Sequence, residues 1–429
     1  MSAIAAARPR GRRAAARAEE DARSGRGALR LAAVAVALLP LLRPGGPANT
    51  APVDLLEGLT IAATLLWAGG SGHRFRLALG IPMALFMAGG ALGAIRGPVP
   101  GSGAIALTQD ALLVVWAWAV INVARTPGRL RALLHVWAYA AVAWALLLFA
   151  GLGAGIPALT GIASRNGTRT ALTLIDPNVA ASYWFVSIMI VWAVQRPRRR
   201  LHRLAAYALL TCALVSTGSS SGLVSLAVGV ALAALLGIGR RVGGAPAVTV
   251  AAAVALAALV TFQAVDFRHL QERASASRWS FVRNGIGRGE QSVGQRSTLL
   301  DESVTLLDTG GPLGQGPVST KPRLAAESAP FVKEAHDDYF AALTERGALG
   351  ALGLFLLLGS LGLRAAIAGG ARGRDGVLPR PNAIVGALAG TLVAAALLEV
   401  LHVRHVWTLF ALVAALHVWG REWRARDPS

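Results

Sequence analysis

The chain has 429 residues, 54% of them hydrophobic and 15% charged, with a formal charge of +20. A mean hydropathy of +0.54 is too high for an ordinary soluble protein, in which charged residues alone make up about a quarter. The arginines fall between apolar runs and not along one soluble face, so the charge reads as membrane topology and argues against a nucleic-acid partner. The single cysteine, Cys212, excludes an intramolecular disulfide and argues against a cysteine-based metal site.

In chain order, residues 1–28 are Arg-rich and lack an apolar run, which predicts a cytoplasmic tail, either disordered or bound to anionic lipid headgroups. Leu29 to Leu42 reads as an uncleaved first helix and not as a signal peptide, because many further spans follow. Runs of about 17–25 apolar residues cross a bilayer. Twelve are predicted, centred near residues 35, 60, 84, 113, 140, 186, 209, 228, 255, 350, 391 and 412. The expected architecture is an all-α polytopic membrane protein of about 12 transmembrane helices. Nine spans lie in 29–265 and three in 336–420, with one large extracytoplasmic loop domain at 266–335 and a cytoplasmic tail at 421–429. The short outer loops carry only Arg43, Arg96, Arg165, Arg169 and Arg404, so the positive-inside rule places both termini in the cytoplasm.

The long loop concentrates Arg278, Arg283, Arg288 and Arg296. From Arg296, RSTLLDESVTLL spaces its leucines as an amphipathic helix would, and GGPLGQGP at Gly310 to Pro317 predicts a tight turn. A helix beginning HDDYFAALTERGALG at His336 follows.

Several stretches form an ordered set: Asp176-Pro177-Asn178, TGSSSGLVSL at Thr217 to Leu226, Arg296 leading to Pro312-Leu313-Gly314-Gln315-Gly316, HDDYF at His336 to Phe340, and ERGALG at Glu345 to Gly350. In that order they resemble the motifs of the O-antigen ligase and polymerase family of bacterial membrane glycosyltransferases. The resemblance implies a multi-pass protein of the bacterial inner membrane. Its donor would be a polyprenyl-pyrophosphate-linked oligosaccharide, specifically undecaprenyl pyrophosphate, and its acceptor a glycan or a lipid on the extracytoplasmic face. It also implies that neither a metal nor a cofactor takes part. Two positions depart from the family pattern: Ser220 stands where the family has Arg, and Asp337 where it has Asn. Arg165, Arg169 or Arg278 would then supply the missing cation.

Such a transfer needs fixed cations on a pyrophosphate leaving group and a base for the acceptor hydroxyl. Arginine presents a planar fork that grips phosphate oxygens bidentately and keeps its charge, which suits Arg296 first and Arg278 and Arg283 next. An imidazole titrates near neutrality, which suits His336 as the base. The same residues have plainer readings. His336 could be an interfacial histidine whose helix packs through Tyr339 or Phe340, Leu343, Gly347 and Gly350, while Asp337 and Asp338 suit a positive helix end. Glu345 needs a partner inside a membrane helix, such as Arg346, and Asn178 could cap a helix. The serines around Ser220 could cap, pack or line a polar cavity. His402, Arg404 and His405, with Glu399, could anchor the chain at the interface or border the same vestibule. The expected site thus has His336 and Arg296 as catalytic residues, with Arg278, Arg283, Arg165, Arg169, Asp176, Asn178, Ser220, Asp337, Asp338, Tyr339 and Glu345 binding substrate. The rival expectation is a multi-span transporter of a small solute.

Overall fold

The computed structural model describes residues 25–43, 50–161, 169–174, 176–243, 267–278, 304–307, 311–326, 337–370 and 377–426, with positions 246, 249 and 283. The predicted span near residue 255 lies outside the described residues, as do His336, Arg296 and Arg165. The described elements are α1 (Arg26–Ala37), α2 (Pro52–Gly70), α3 (Gly80–Arg96), α4 (Pro100–Val123), α5 (Pro127–Ala154), α6 (Pro157–Thr160), α7 (Pro177–Val194), α8 (Arg200–Ser216) and α9 (Ser220–Val242), followed by α10 (Phe267–Ser275), α11 (Thr320–Ala326), α12 (Asp338–Gly370), α13 (Asn382–Ala395) and α14 (Arg404–Arg426). No strand occurs among the described residues. Six helices there are long and apolar enough to cross a membrane, namely α2, α4, α5, α7, α9 and α12, and α3 and α13 are shorter apolar helices.

Local sequence explains many of these boundaries. Five of the helices, α2, α4, α5, α6 and α7, open on proline, whose fixed φ suits the first helical position and whose missing N–H is not needed there. Thr126 caps α5 and Ser219 caps α9 by accepting from the N–H of Arg129 and of Gly222, both at 3.3 Å.

α7 is the central helix: 89% of its membrane-length window is buried, against 22–44% in the other five candidate spans. It packs against α5, α8, α9 and α13, and α13 joins this group to α12. α12 in turn lies along α3 and α14, and α14 runs against α4. Small residues let the backbones approach where they cross, as in membrane bundles generally. A Cβ added at Gly390 of α13 would sit 2.5 Å from the Ser225 carbonyl of α9, and one at Gly93 of α3 would sit 2.5 Å from the Glu345 carbonyl of α12.

α12 departs from the single straight helix expected from His336 onward. It begins at Asp338 and is broken at Gly347, whose φ of 64° and ψ of −170° are not helical. That conformation suits glycine, which has no Cβ to clash. The two arms fold back on each other: the rings of Tyr339 and Phe355 stack at 6.0 Å, whereas a straight helix would set these positions roughly 24 Å apart along its axis. The membrane-length part is therefore the arm after Gly347, and the packing face expected through Gly347 does not form as one stripe.

Candidate active site

The glycine-rich turn and the kink of α12, far apart in sequence, form one knot. Gln315 N–H donates to the Thr344 carbonyl at 3.0 Å, Gly316 N–H to the Glu345 carbonyl at 2.8 Å, and Ala348 N–H to the Pro312 carbonyl at 2.8 Å. Only glycine fits at the crossing, because a Cβ on Gly347 would strike the Pro312 carbonyl and the Leu313 backbone. The Glu345 carboxylate fastens the next segment. It accepts from Val318 N–H at 2.9 Å, from the Thr320 hydroxyl at 2.8 Å and from Thr320 N–H at 3.3 Å. Glu345 is thus bound to the loop entering α11, and the expected pairing with Arg346 is replaced. Arg346 instead forms an ion pair with Asp110 of α4 and lies over the Phe86 ring of α3 at 3.9 Å. Burying two opposite charges together answers the desolvation cost that either would meet alone.

Asp337 is the N-cap of α12, its carboxylate accepting from Tyr339 N–H at 2.8 Å and Phe340 N–H at 3.1 Å. Partial burial pushes its pKa above the usual carboxylate value, an effect opposed by those two bonds. Asp338 is buried and points the other way, taking Val400 N–H at 2.8 Å and Leu401 N–H at 3.2 Å. Tyr339 donates its hydroxyl to the Leu392 carbonyl at 3.0 Å. The Asp338 and Tyr339 bonds lock the short arm of α12 against α13 and the turn that follows it.

Between this arm, the segment entering α11, α3, α4 and the α13–α14 turn lies a cavity of about 210 Å³. Asp110, Arg346, Glu345 and Asp338 line it together with Lys321, Glu399 and His402. Lys321 and His402 are exposed, so the cavity opens to the surface. Of the anticipated site residues, Asp338 and Glu345 reach it, and Asp337 adjoins Asp338 in the chain.

A second cluster gathers where α7, α8 and α9 meet. Arg169 donates through Nε to the Thr217 carbonyl at 2.7 Å and through its guanidinium to Asn178 Oδ1 at 2.8 Å. Asp176, and not Asn178, caps α7, accepting from the N–H of Asn178 at 2.6 Å and of Val179 at 3.3 Å. Ser219 is the cap of α9, and Ser220 is its exposed first residue. Arg169 therefore joins the DPN and TGSSSG stretches. Arg278 and Arg283 are exposed beyond α10, Arg283 donating to the Ser277 carbonyl at 2.7 Å, and neither lines the cavity.

The outer group of His402, Arg404 and His405 divides. His402 faces the cavity with Glu399, whereas Arg404 and His405 turn inward and are not interfacial anchors. Arg404 makes a bidentate pair with Asp54 of α2, both bonds at 2.7 Å, and buried His405 meets Ser182 of α7 at 2.8 Å. Asp110, Lys321, Asp54 and Glu57 did not stand out in the sequence reading. The signal for Asp54, Glu57 and Asp110 was present, since a carboxylate within an apolar span is costly and marks a pairing or a site.

The fold and this cavity define a polytopic helical membrane protein with a charged, surface-open cavity near one end of its bundle. Residues 205–355, from α8 into the long arm of α12, match the family model described as O-antigen ligase. The matched region holds the TGSSSG stretch, the glycine-rich turn and both α12 motifs, while the DPN stretch precedes it. No curated protein matches the chain.

Proposed function

We propose that this protein transfers a glycan from a polyprenyl-pyrophosphate-linked donor to an acceptor hydroxyl at the mouth of the α3–α4–α12 cavity, on the extracytoplasmic face of the bacterial inner membrane. The observation that carries this reading is the knot. Two of the motifs shared with the ligase family meet there, and they shape a charged cavity beside the start of α12. A ligase-like and a polymerase-like enzyme differ only in whether the acceptor is a finished lipid or glycan or a second lipid-linked unit.

In the reaction the acceptor oxygen attacks the anomeric carbon of the donor, the bond from that carbon to the pyrophosphate oxygen breaks, and polyprenyl pyrophosphate leaves. The hydroxyl proton passes to His336, the residue before Asp337. Arg296 grips the departing pyrophosphate, with Arg278 and Arg283 as further cations of the same loop. Lys321 brings a cation to the cavity mouth. Arg169 takes the part of the family arginine absent at Ser220, because its guanidinium is bonded to the Thr217 carbonyl, three residues before that serine, and to Asn178. The Glu345, Asp338 and Tyr339 side chains hold the backbone that shapes the cavity and act on substrate only through it.

Proteoliposomes charged with a labelled lipid-linked oligosaccharide test this directly. Glycan transfer is expected, and labelled solute uptake without transfer would establish the transporter reading in its place. His336→Ala and His336→Gln should lose about two to four orders of magnitude in rate. They should also lose the rise of activity between about pH 5.5 and 8.5 that a neutral base gives. Wild-type rates in both variants would remove His336 from the mechanism.

A further inference from the structure

A second cavity, of about 240 Å³, lies at the opposite end of the bundle. It sits between the α2–α3 loop, the C-terminal end of α4 and the last turns of α14. The first cavity meets α4 at Ala106 and Asp110, whereas this one meets the chain just past the end of α4 at Arg125. The separation is roughly 20 Å or more along the helix. Arg74, Arg76 and Arg125 line it, with His73, Trp419 and Glu422. Three permanent cations therefore face one carboxylate.

The guanidiniums of Arg76 and Arg125 are held in place, while Arg74 is exposed at the rim. Buried Asn122 clamps the loop at Arg76, accepting its N–H at 2.8 Å and donating to its carbonyl at 3.0 Å. The Trp118 indole N–H holds the Ala78 carbonyl at 2.9 Å. Arg125 lies over the Trp67 and Trp419 rings, 5.8 Å from each, and Arg76 lies over Trp419 at 5.7 Å. The indoles are themselves fixed, with Trp419 donating to the Ile121 carbonyl at 2.7 Å and Trp423 to the Arg125 carbonyl at 2.9 Å. Tryptophans grouped at the end of a helical bundle mark the depth of the lipid headgroups. Arginine forks held there suit a phosphate.

We infer that this cavity is a binding site for a phosphate-bearing anion, with Arg74, Arg76 and Arg125 as its ligands. Two sources share that chemistry, the headgroup of an anionic phospholipid and soluble phosphate, and the position among the tryptophans favours the headgroup. Glu422 regulates the site by competition. It accepts from Arg76 at 2.7 Å, so an arriving phosphate must share or displace it.

The test uses the full chain, purified and stripped of lipid, in native mass spectrometry against phosphatidylglycerol and phosphatidylcholine. A parallel thermal-shift titration uses inorganic phosphate. Phosphatidylglycerol adducts are expected to survive where phosphatidylcholine adducts do not. Arg74→Gln/Arg76→Gln should weaken retention about tenfold or more, and Glu422→Gln should strengthen it severalfold. Arg200→Gln, an exposed arginine on α8, controls for net charge and should change nothing. A phosphate-induced shift lost in the double variant, with no lipid preference, would uphold the site and assign it to soluble phosphate. Equal retention of both lipids with no phosphate shift, or a double variant indistinguishable from Arg200→Gln, would overturn the proposal. Both arginines of the double variant are exposed, and a size-exclusion profile matching wild type checks that loss of binding is not loss of fold.

Discussion

Gly347→Ala is the sharpest test of the knot between the glycine-rich turn and α12. An alanine there meets two penalties. Its backbone would be held at φ 64°, ψ −170°, which costs a side-chain-bearing residue about 1–3 kcal/mol. Its Cβ would also press on the Pro312 carbonyl and Leu313 backbone, and the turn can retreat only by giving up the bonds from Gln315, Gly316 and Ala348. Each is worth about 0.5–1.5 kcal/mol net, so the variant should lose about 2.5–7.5 kcal/mol. Thermal melting in detergent should show a midpoint lower by about 3–8 °C. Transfer from a lipid-linked donor should fall with it, because the cavity wall is the displaced segment. Gly359→Ala is the internal control. It lies further along the same helix with open space around its Cβ position, and should be neutral or stabilising by up to about 1 kcal/mol. A Gly347→Ala protein with wild-type melting and wild-type transfer would refute the account of the kink.

Two further outcomes follow from buried or capping charges. Arg404→Met strips the only cation bonded to Asp54 among the described residues and leaves fully buried Glu57, whose oxygens have no hydrogen-bond partner there, beside it. It should cost about 3–5 kcal/mol, partly recovered in Asp54→Asn/Arg404→Met, and equal melting of wild type and single variant would rule out a structural role for the pair. Asp337→Asn keeps a good helix cap and removes a carboxyl whose folded pKa is raised by burial. An ionised Asp337 costs the folded state stability once the pH exceeds the unfolded pKa, and that cost is absent below it, where both states are protonated. The variant should therefore melt at or above wild type near pH 7, with the difference closing toward about pH 4. A lower midpoint at pH 7 would contradict this.

Hydropathy along the chain is enough to define the class of protein. Apolar runs of membrane length and prolines at helix starts are local signals, set by hydropathy and by which backbone groups need partners within a turn, whereas the cap of α7 falls on Asp176 and not on the Asn178 that the sequence suggested. The ordered motifs also sufficed to indicate the ligase family, which the match over residues 205–355 bears out. What the individual charges do depends instead on the packing of elements far apart in the chain. Glu345 and Arg346 are neighbours in the chain, yet one binds the backbone of residues 318 and 320 and the other binds Asp110, 236 positions away. Arg404 reaches back 350 positions to Asp54, while His402, two residues before it, faces the cavity. A buried charge takes whichever partner the packing of distant helices brings to it, and the price of leaving it alone in the membrane, several kcal/mol, enforces that choice without leaving a mark on the neighbouring sequence.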